Sequence, residues 1–221
     1  LSMSDYDLPD GDLLPYDRIR QNVLMAGNVV YKIYDYRATG GVGDCRPNGN
    51  ILFLGAKAVL RDAGLCVISY PLVEGDHIAE LAVDFVGVLL HLCDVHAAGQ
   101  LHMDIKLGNV IFNHSSGAAS RLIDFDYCGP MCNVRYPARY NHDISDGKRH
   151  KDAVAGNRGL LSHDLYAMKG TMQLFKASED SLASRWDEWA TRVGQGQLEE
   201  VAKDLAEQGS AIELVYTGML G

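Results

Sequence analysis

The spacing of apolar residues in the first third of the chain predicts a small β-sheet. Residues 29–34 are β-branched and aromatic and follow an Ala-Gly-Asn turn, so residues 18–36 are expected to form a hairpin. This places Lys32 in the middle of a strand. A second apolar run, residues 65–70, predicts a buried strand.

Helical spacing dominates elsewhere. Residues 50–63 have apolar side chains at helix-like intervals and end before a glycine, which predicts a helix that includes Lys57. From Ile78 to Val95 the apolar residues predict a long buried helix, in which His91 and His96 are expected to be packing residues. Later segments with the same spacing are residues 160–175, 182–193 and 198–208. Together with the strands, these helices indicate an α+β fold.

Two short polar motifs carry the candidate chemistry. Residues 102–109 have the sequence HMDIKLGN, and residues 122–126 have the sequence LIDFD. Phosphoryl transfer from ATP needs one carboxylate to orient and deprotonate the attacking hydroxyl, and a second carboxylate with an amide oxygen to hold Mg²⁺. Asp104, Asp124 and Asn109 are the residue types that this chemistry requires. The motifs therefore point to phosphoryl transfer.

The pattern HxDxKxxN followed by an apolar residue, Asp and Phe resembles the catalytic loop and metal-binding segment of the eukaryotic protein-kinase superfamily. The resemblance implies a single two-lobed kinase-like domain over residues 1–221. Residues 1–70 would form a reduced β lobe, residues 71–76 a hinge, and residues 77–221 an abbreviated helical lobe.

Short sequence motifs in the second half of the chain indicate one group within the kinase superfamily. Asp126-Tyr127, the sequence VRYP at residues 134–137, Asn141 and His163-Asp164 resemble the kinase-like domains of Crinkler-type effectors.

The kinase resemblance implies a role for each motif residue. Asp104 would accept or orient the proton of the acceptor hydroxyl, and Lys106 would neutralise the phosphoryl group during transfer. Asn109 and Asp124 would hold Mg²⁺, which prefers hard oxygen ligands. Lysine at position 106 is typical of Ser/Thr protein kinases, so a protein Ser/Thr hydroxyl is the expected acceptor. Asp164 would brace the catalytic loop through backbone hydrogen bonds.

The resemblance also implies nucleotide contacts in the first third of the chain and the hinge. Lys32 would reach the α and β phosphates of ATP, although a lysine on the polar face of a strand is the ordinary alternative. Tyr70 and Leu72 belong to the segment where adenine would bind through backbone groups. Asp76 would face the ribose, or would equally form an ordinary turn and helix N-cap.

Several positions depart from the kinase pattern. Met103 replaces the arginine expected after His102, and Asp126 replaces the glycine of the DFG triplet. No GxGxxG precedes Lys32, and no glutamate lies between Lys32 and Glu74 to pair with that lysine. Three functions therefore stay open: an active Ser/Thr kinase, a pseudokinase that binds partners through the same fold, and a small-molecule phosphotransferase.

Composition limits the partners. A net charge of −9 argues against a surface for nucleic acid and favours a basic protein or small-molecule substrate. The basic run at residues 148–151 is either a solvated loop or a contact for an acidic substrate or phosphate.

Cysteine content and hydropathy indicate the cellular compartment of the protein. The chain has 5 Cys, an odd number, mostly within apolar runs, which favours reduced thiols in an intracellular protein. No stretch has the length and hydropathy of a membrane span, and the first residues lack a secretory-signal pattern. A soluble cytoplasmic or nuclear protein without a membrane partner is therefore expected.

Overall fold

A computed structural model describes residues 17–20, 22–35, 47–62, 64–137, 140 and 149–218. Asn141 and Lys148, which the sequence analysis singled out, lie outside the described residues. The chain divides into two compact units of mixed α+β structure. The first comprises Leu1–Gly43 and Leu54–Leu72, and the second comprises Asp44–Phe53 and Val73–Gly221.

The first unit contains a five-stranded antiparallel sheet with strand order β1-β2-β3-β5-β4. Its strands are β1 (Asp17–Arg20), β2 (Val23–Ala26), β3 (Val29–Asp35), β4 (Lys57–Asp62) and β5 (Leu65–Pro71). The predicted hairpin is confirmed in β2 and β3, which are joined by Gly27 and Asn28. Gly27 has a φ of 55°, the left-handed conformation that a two-residue hairpin turn requires. The predicted strand at residues 65–70 is also confirmed, as β5.

The prediction of a helix over residues 50–63 is wrong in its second half. Helix α1 covers only Asn48–Leu54, and Lys57 lies on β4. Gly55 adopts a φ of 65°, a conformation that ends helices, and the chain then pairs antiparallel with β5. The few apolar positions in this segment fit either a helix or a strand, and hydrogen bonding to β5 decides between them.

The second unit is built around a buried helix, α2 (Phe85–Ala97). The sequence placed the start of this helix at Ile78, which is wrong. A single 3₁₀ turn, Ala82–Asp84, precedes α2, and the Asp84 carboxylate accepts hydrogen bonds from the backbone N–H groups of Glu80 and Leu81 at 2.9 and 3.0 Å. These bonds hold a tight turn where the periodicity predicted helix.

The remaining elements of the second unit are short ladders and three further helices. In chain order they are β6 (Gln100–Leu101), β7 (Val110–Ile111), β8 (Arg121–Leu122), β9 (Gly129–Pro130), α3 (Leu161–Met172), β10 (Phe175–Ala177), α4 (Asp180–Gly194), α5 (Leu198–Gln208) and β11 (Leu214–Tyr216). The antiparallel pairs are β6 with β9, β7 with β8, and β10 with β11. The helices predicted at residues 160–175, 182–193 and 198–208 are confirmed as α3, α4 and α5, although residues 175–177 form β10.

Aromatic side chains fill the centre of the second unit. The Phe85 ring lies 4.8 Å from Phe112, 5.6 Å from Phe175 and 5.4 Å from Trp186, measured between ring centroids. The indole N–H of Trp186 donates to the carbonyls of Met172 and Phe175, which satisfies the one polar atom of this buried side chain. This core joins α2 and α4 to Phe112, which directly follows β7.

Two further observations concern the described residues as a whole. None of their helices has the length and apolar character needed to cross a bilayer. The cysteines among them, Cys66, Cys93, Cys128 and Cys132, are free thiols, and burial raises the pKa of Cys128 to about 12.

Candidate functional site

A buried carboxylate on α3 fixes the start of the HMDIKLGN loop. Asp164 accepts hydrogen bonds from the backbone N–H groups of His102 at 2.8 Å and Met103 at 2.9 Å. His96 on α2 also contacts Asp164, with Nε2 3.2 Å from Oδ2, so it is a polar partner as well as a packing residue. The predicted bracing contact of Asp164 is therefore present.

Two non-glycine residues with positive φ stand out among the described residues, and both lie in the motifs. Met103 has a φ of 67° and Asp124 a φ of 62°. Such left-handed backbone costs roughly 1–3 kcal/mol per residue and persists only where the surroundings enforce it. Met103 is held by the Asp164 bond and by its buried side chain, which packs in a cluster with Leu101, Val134, Tyr136, Tyr140 and Ala153.

His102 links the two motifs. Its ring is fully buried and its pKa is lowered by that burial, so the neutral imidazole is favoured. Nδ1 accepts the Asp104 N–H at 3.3 Å, and Nε2 therefore donates to the Ile123 carbonyl at 3.1 Å. The ring also lies 4.5 Å from the Phe125 ring, centroid to centroid. One histidine thus holds both the loop with Asp104 and the segment with Asp124.

The Asp104 carboxylate is surrounded by donors on both oxygens. Lys106 Nζ lies 2.6 Å from Oδ2, and Asn109 Nδ2 donates to the same oxygen at 2.9 Å. Oδ1 accepts a hydrogen bond from the Arg149 guanidinium at 2.5 Å. Three donors on a side chain that is only 5% exposed fix its rotamer and supply the hydrogen bonds that a buried charge needs.

Asn109 is the most informative residue of the site. Its Nδ2 donates to the backbone carbonyl of Asp104 at 2.8 Å as well as to that residue's carboxylate, which fixes the orientation of the amide. Its Oδ1 is buried, and no hydrogen-bond partner for it exists among the described residues. An acceptor buried in this way costs about 1–3 kcal/mol, so a cation or donor that binds there would be strongly favoured.

The LIDFD segment is hydrogen-bonded to Asn109. The Ile123 N–H donates to the Asn109 carbonyl at 2.9 Å and extends the β7–β8 ladder by one residue. Asp124 is the next residue along the chain. Asn109 Oδ1 and the Asp124 carboxylate are hard oxygen donors of the kind that Mg²⁺ prefers, so these residues fit the proposed ion. The described part of the chain holds no set of three or more His, Cys, Asp and Glu side chains arranged for a metal, so phosphate and water oxygens would complete the coordination.

Helix α1 supplies a contact that the sequence analysis missed. The Asn50 Oδ1 accepts the Phe125 N–H at 3.1 Å, and its Nδ2 donates to Asp126 Oδ1 at 3.0 Å. Gly49 makes this approach possible, because a Cβ at that position would lie 2.6 Å from the Phe125 carbonyl oxygen. Asp126, which replaces the glycine of the kinase pattern, is therefore a structural partner of Asn50. No local pattern around Asn50 signalled this contact, because it joins residues 76 positions apart in the chain.

The predicted nucleotide residues of the first unit lie on its sheet. Lys32 is on β3 opposite Ile68 and is only 4% exposed, on the same buried face as Val30 and Tyr34. The alternative of a solvent-facing lysine is wrong, because the strand alternation turns Lys32 inward. Its ammonium lies 6.0 Å from the centroid of the Tyr34 ring.

Tyr70 and Leu72 lie at the end of β5 and just after it. Tyr70 pairs with Val30 and is half-buried. The Leu72 N–H donates to the Asn28 carbonyl at 2.8 Å, so this backbone donor already has a partner within the first unit. An adenine ring would therefore use other backbone groups of this segment.

Asp76 forms a local turn in the second unit. Its Oδ1 accepts the Ile78 N–H at 2.6 Å, and its Oδ2 lies 3.2 Å from His114 Nε2. Burial opposes ionisation of Asp76, but these hydrogen bonds outweigh it and lower the carboxyl pKa. The helix N-cap interpretation is wrong, because α2 begins nine residues later, whereas the ribose contact stays a prediction.

His114 also reaches the buried Asp84, with Nδ1 3.0 Å from Oδ2. The imidazole therefore lies between two carboxylates. Their hydrogen bonds outweigh the effect of desolvation and raise the pKa of His114. This arrangement couples the loop after β7 to the start of α2, and it makes that coupling dependent on protonation.

The chain was compared with protein families and with curated proteins. Neither the protein-family models nor the curated proteins include a match to this chain.

Proposed function

We propose that this chain is a protein-kinase-like phosphotransferase that uses ATP and Mg²⁺ and transfers the γ-phosphoryl group to Ser/Thr hydroxyls of protein. The observation that carries the proposal is Asn109, whose Nδ2 holds Asp104 while its buried Oδ1 lacks a partner among the described residues. A purely structural asparagine in a core would have both ends satisfied. The arrangement is accounted for if Asn109 Oδ1 is a metal ligand beside Asp104 as the catalytic carboxylate.

The remaining motif residues take roles consistent with that centre. ATP with Mg²⁺ supplies the phosphoryl group and neutralises charge on its oxygens. Asn109 and Asp124 would hold the ion, and Asp104 would orient the acceptor hydroxyl and take its proton. Lys106, already 2.6 Å from Asp104, would stabilise negative charge that develops on the phosphoryl oxygens.

The nucleotide contacts are proposed from the kinase resemblance. Lys32 is proposed to contact the α and β phosphates, because the kinase resemblance gives this role to a lysine in the middle of this strand. Tyr70, Leu72 and Asp76 are proposed to border the adenine and ribose. In the same proposal the chain has a two-lobed kinase-like fold and is related to the kinase-like domains of Crinkler-type effectors, with a basic protein as substrate and a cytoplasmic or nuclear location.

A pseudokinase is the second candidate, and one observation favours it. No glutamate lies between Lys32 and Glu74, and α1 uses Asn50 to contact Phe125 and Asp126. The glutamate that kinases supply to the strand lysine is therefore absent from this interval of the sequence. A protein that binds partners through this fold without transferring phosphate would have no need for that partner.

The test combines binding and transfer. Mg-ATP should raise the melting temperature of the wild-type protein, and radiolabel should pass from ATP to a generic basic protein substrate. Asp124→Ala should abolish the magnesium-dependent part of nucleotide binding, because its carboxylate is proposed to contact the ion. Asp187→Ala, at an exposed position of α4, is the matched control and should behave as wild type.

Lys32→Met separates the two candidates. In an active kinase it should reduce transfer strongly, whereas Lys57→Met, on the exposed side of β4, should leave transfer unchanged. Wild-type protein that neither binds Mg-ATP nor transfers label would overturn the proposal and favour the pseudokinase. Transfer to a sugar, aminoglycoside or choline-like acceptor but not to protein would identify a small-molecule phosphotransferase.

A further inference from the structure

Arg149 contacts the proposed catalytic carboxylate from a segment 45 residues further along the chain. Its guanidinium lies 2.5 Å from Asp104 Oδ1, and the arginine side chain is only 12% exposed. We propose that Arg149 is a positioning residue, which holds Asp104 in the rotamer that receives the acceptor hydroxyl. The proposal rests on the function proposed above.

The arginine is itself held by an aromatic cluster. The guanidinium carbon lies 4.0 Å from the centroid of the Tyr140 ring, close enough for a cation–π interaction. Tyr140 donates its hydroxyl to the Met103 carbonyl at 3.0 Å and packs against Tyr136, with ring centroids 4.6 Å apart. Tyr136 and Tyr140 are both buried. Arg149 therefore packs on a tyrosine that binds the Met103 carbonyl, and Asp164 binds the N–H of the same methionine.

The distribution of donors on Asp104 explains why this anchoring matters. Oδ2 already accepts hydrogen bonds from Lys106 and Asn109, whereas the described donor on Oδ1 is Arg149. A carboxylate oxygen accepts about two hydrogen bonds, so Oδ1 retains room for a substrate hydroxyl beside the guanidinium. Cations on opposite oxygens prevent rotation of the carboxylate. Since a displacement of about 1 Å can cost about 10²-fold in rate, such a brace has a large effect on turnover.

An inhibitory contact is the opposing interpretation, in which Arg149 would block Oδ1 until it moves away. The buried aromatic support argues for a permanent brace, because an arginine that must leave gains little from a cation–π partner and a packed pocket. The two interpretations predict opposite effects on turnover when the guanidinium is removed.

The test measures kcat and KM for radiolabel transfer in wild type, Arg149→Met and Arg149→Lys. Arg149→Met should lower kcat by about 10²-fold, with KM for ATP nearly unchanged, because it affects the acceptor carboxylate rather than the nucleotide. Arg149→Lys should recover part of the loss, since it keeps the charge without the planar fork. Arg158→Met removes an exposed guanidinium that donates to the Met131 carbonyl, and it should leave kcat unchanged.

Chemical rescue distinguishes positioning from a general loss of structure. Added ethylguanidinium should restore part of the activity of Arg149→Ala and should not affect Arg158→Ala. Wild-type or higher kcat in Arg149→Met, or no rescue of a folded and impaired Arg149→Ala, would overturn the positioning role alone. Absence of transfer by the wild-type protein would overturn the proposed function, and this proposal with it.

Discussion

Asn50 and Asp126 are joined by a hydrogen bond of 3.0 Å between Nδ2 and Oδ1, although 76 residues separate them in the chain. The same asparagine accepts the backbone N–H of Phe125, so one side chain on α1 holds two consecutive residues of the LIDFD segment. The Asp126 side chain therefore helps to fix this segment to a helix.

This contact predicts coupling between the two positions. Asn50→Ala should lower the free energy of unfolding by about 1–3 kcal/mol, because the buried Phe125 N–H loses its acceptor. Asp126→Ala should cost less, and the double variant should cost less than the sum of the single changes, with a coupling of roughly 0.5–3 kcal/mol. Urea unfolding of all four proteins measures this cycle, and strict additivity would contradict the contact.

Asp104→Asn should preserve the fold and reduce phosphoryl transfer. The substitution is nearly isosteric, and it removes the charge that accepts the proton, so turnover should fall by roughly 10²–10⁴-fold. Initial rates and a thermal melt of the same preparation check both parts. Asp187→Asn is the control, and an unchanged rate in a folded Asp104→Asn protein would remove Asp104 from the mechanism.

Asp164→Ala should act on stability. It leaves the buried N–H groups of His102 and Met103 without their acceptor, at about 1–3 kcal/mol each, and it releases the strained backbone of Met103. A clear fall in melting temperature is the expected result. Asp94→Ala removes an exposed carboxylate from α2 and serves as the comparison. An Asp164→Ala protein as stable as wild type would show that the loop does not need this support.

His114 should make part of the stability depend on pH. Its folded pKa is raised above the ordinary value of 6.5 by Asp76 and Asp84, so its contribution is full below 6.5 and is lost as pH rises through the folded pKa. Wild type should therefore exceed His114→Gln in melting temperature by more at about pH 5.5 than at about pH 8.5. The difference between the proteins is the relevant quantity, because His102 and His163 have lowered pKa values and act in the opposite direction. A difference that does not change with pH would contradict the assignment.

The sequence predicted what short-range patterns determine. The hairpin around Gly27, the strand at residues 65–70 and the helices α3, α4 and α5 follow from local periodicity and turn chemistry. The contact of Asp164 with the loop was also predicted, because the resemblance to kinases supplied the partner. In each case the necessary information lay within a few residues or in a motif.

Local sequence patterns did not predict the long-range contacts. Nothing near Arg149 indicates that it reaches Asp104, and nothing near Asn50 indicates Asp126, because each pair is brought together only by the fold. The segment at residues 57–62 was assigned to a helix because hydrogen bonding to β5, which the sequence does not display, overrides a weak apolar period. The inward direction of Lys32 likewise depends on which face of the sheet is covered.

The buried position of Trp186 has a practical consequence for every unfolding experiment on this protein. The chain contains 2 Trp, Trp186 and Trp189, and both lie on α4 in the core of the second unit. Their fluorescence therefore reports the surroundings of α4, and the sheet that carries Lys32 contains no tryptophan of its own. Hydrogen–deuterium exchange of β3 and β5 is the observable that follows the first unit, so a complete stability measurement needs both.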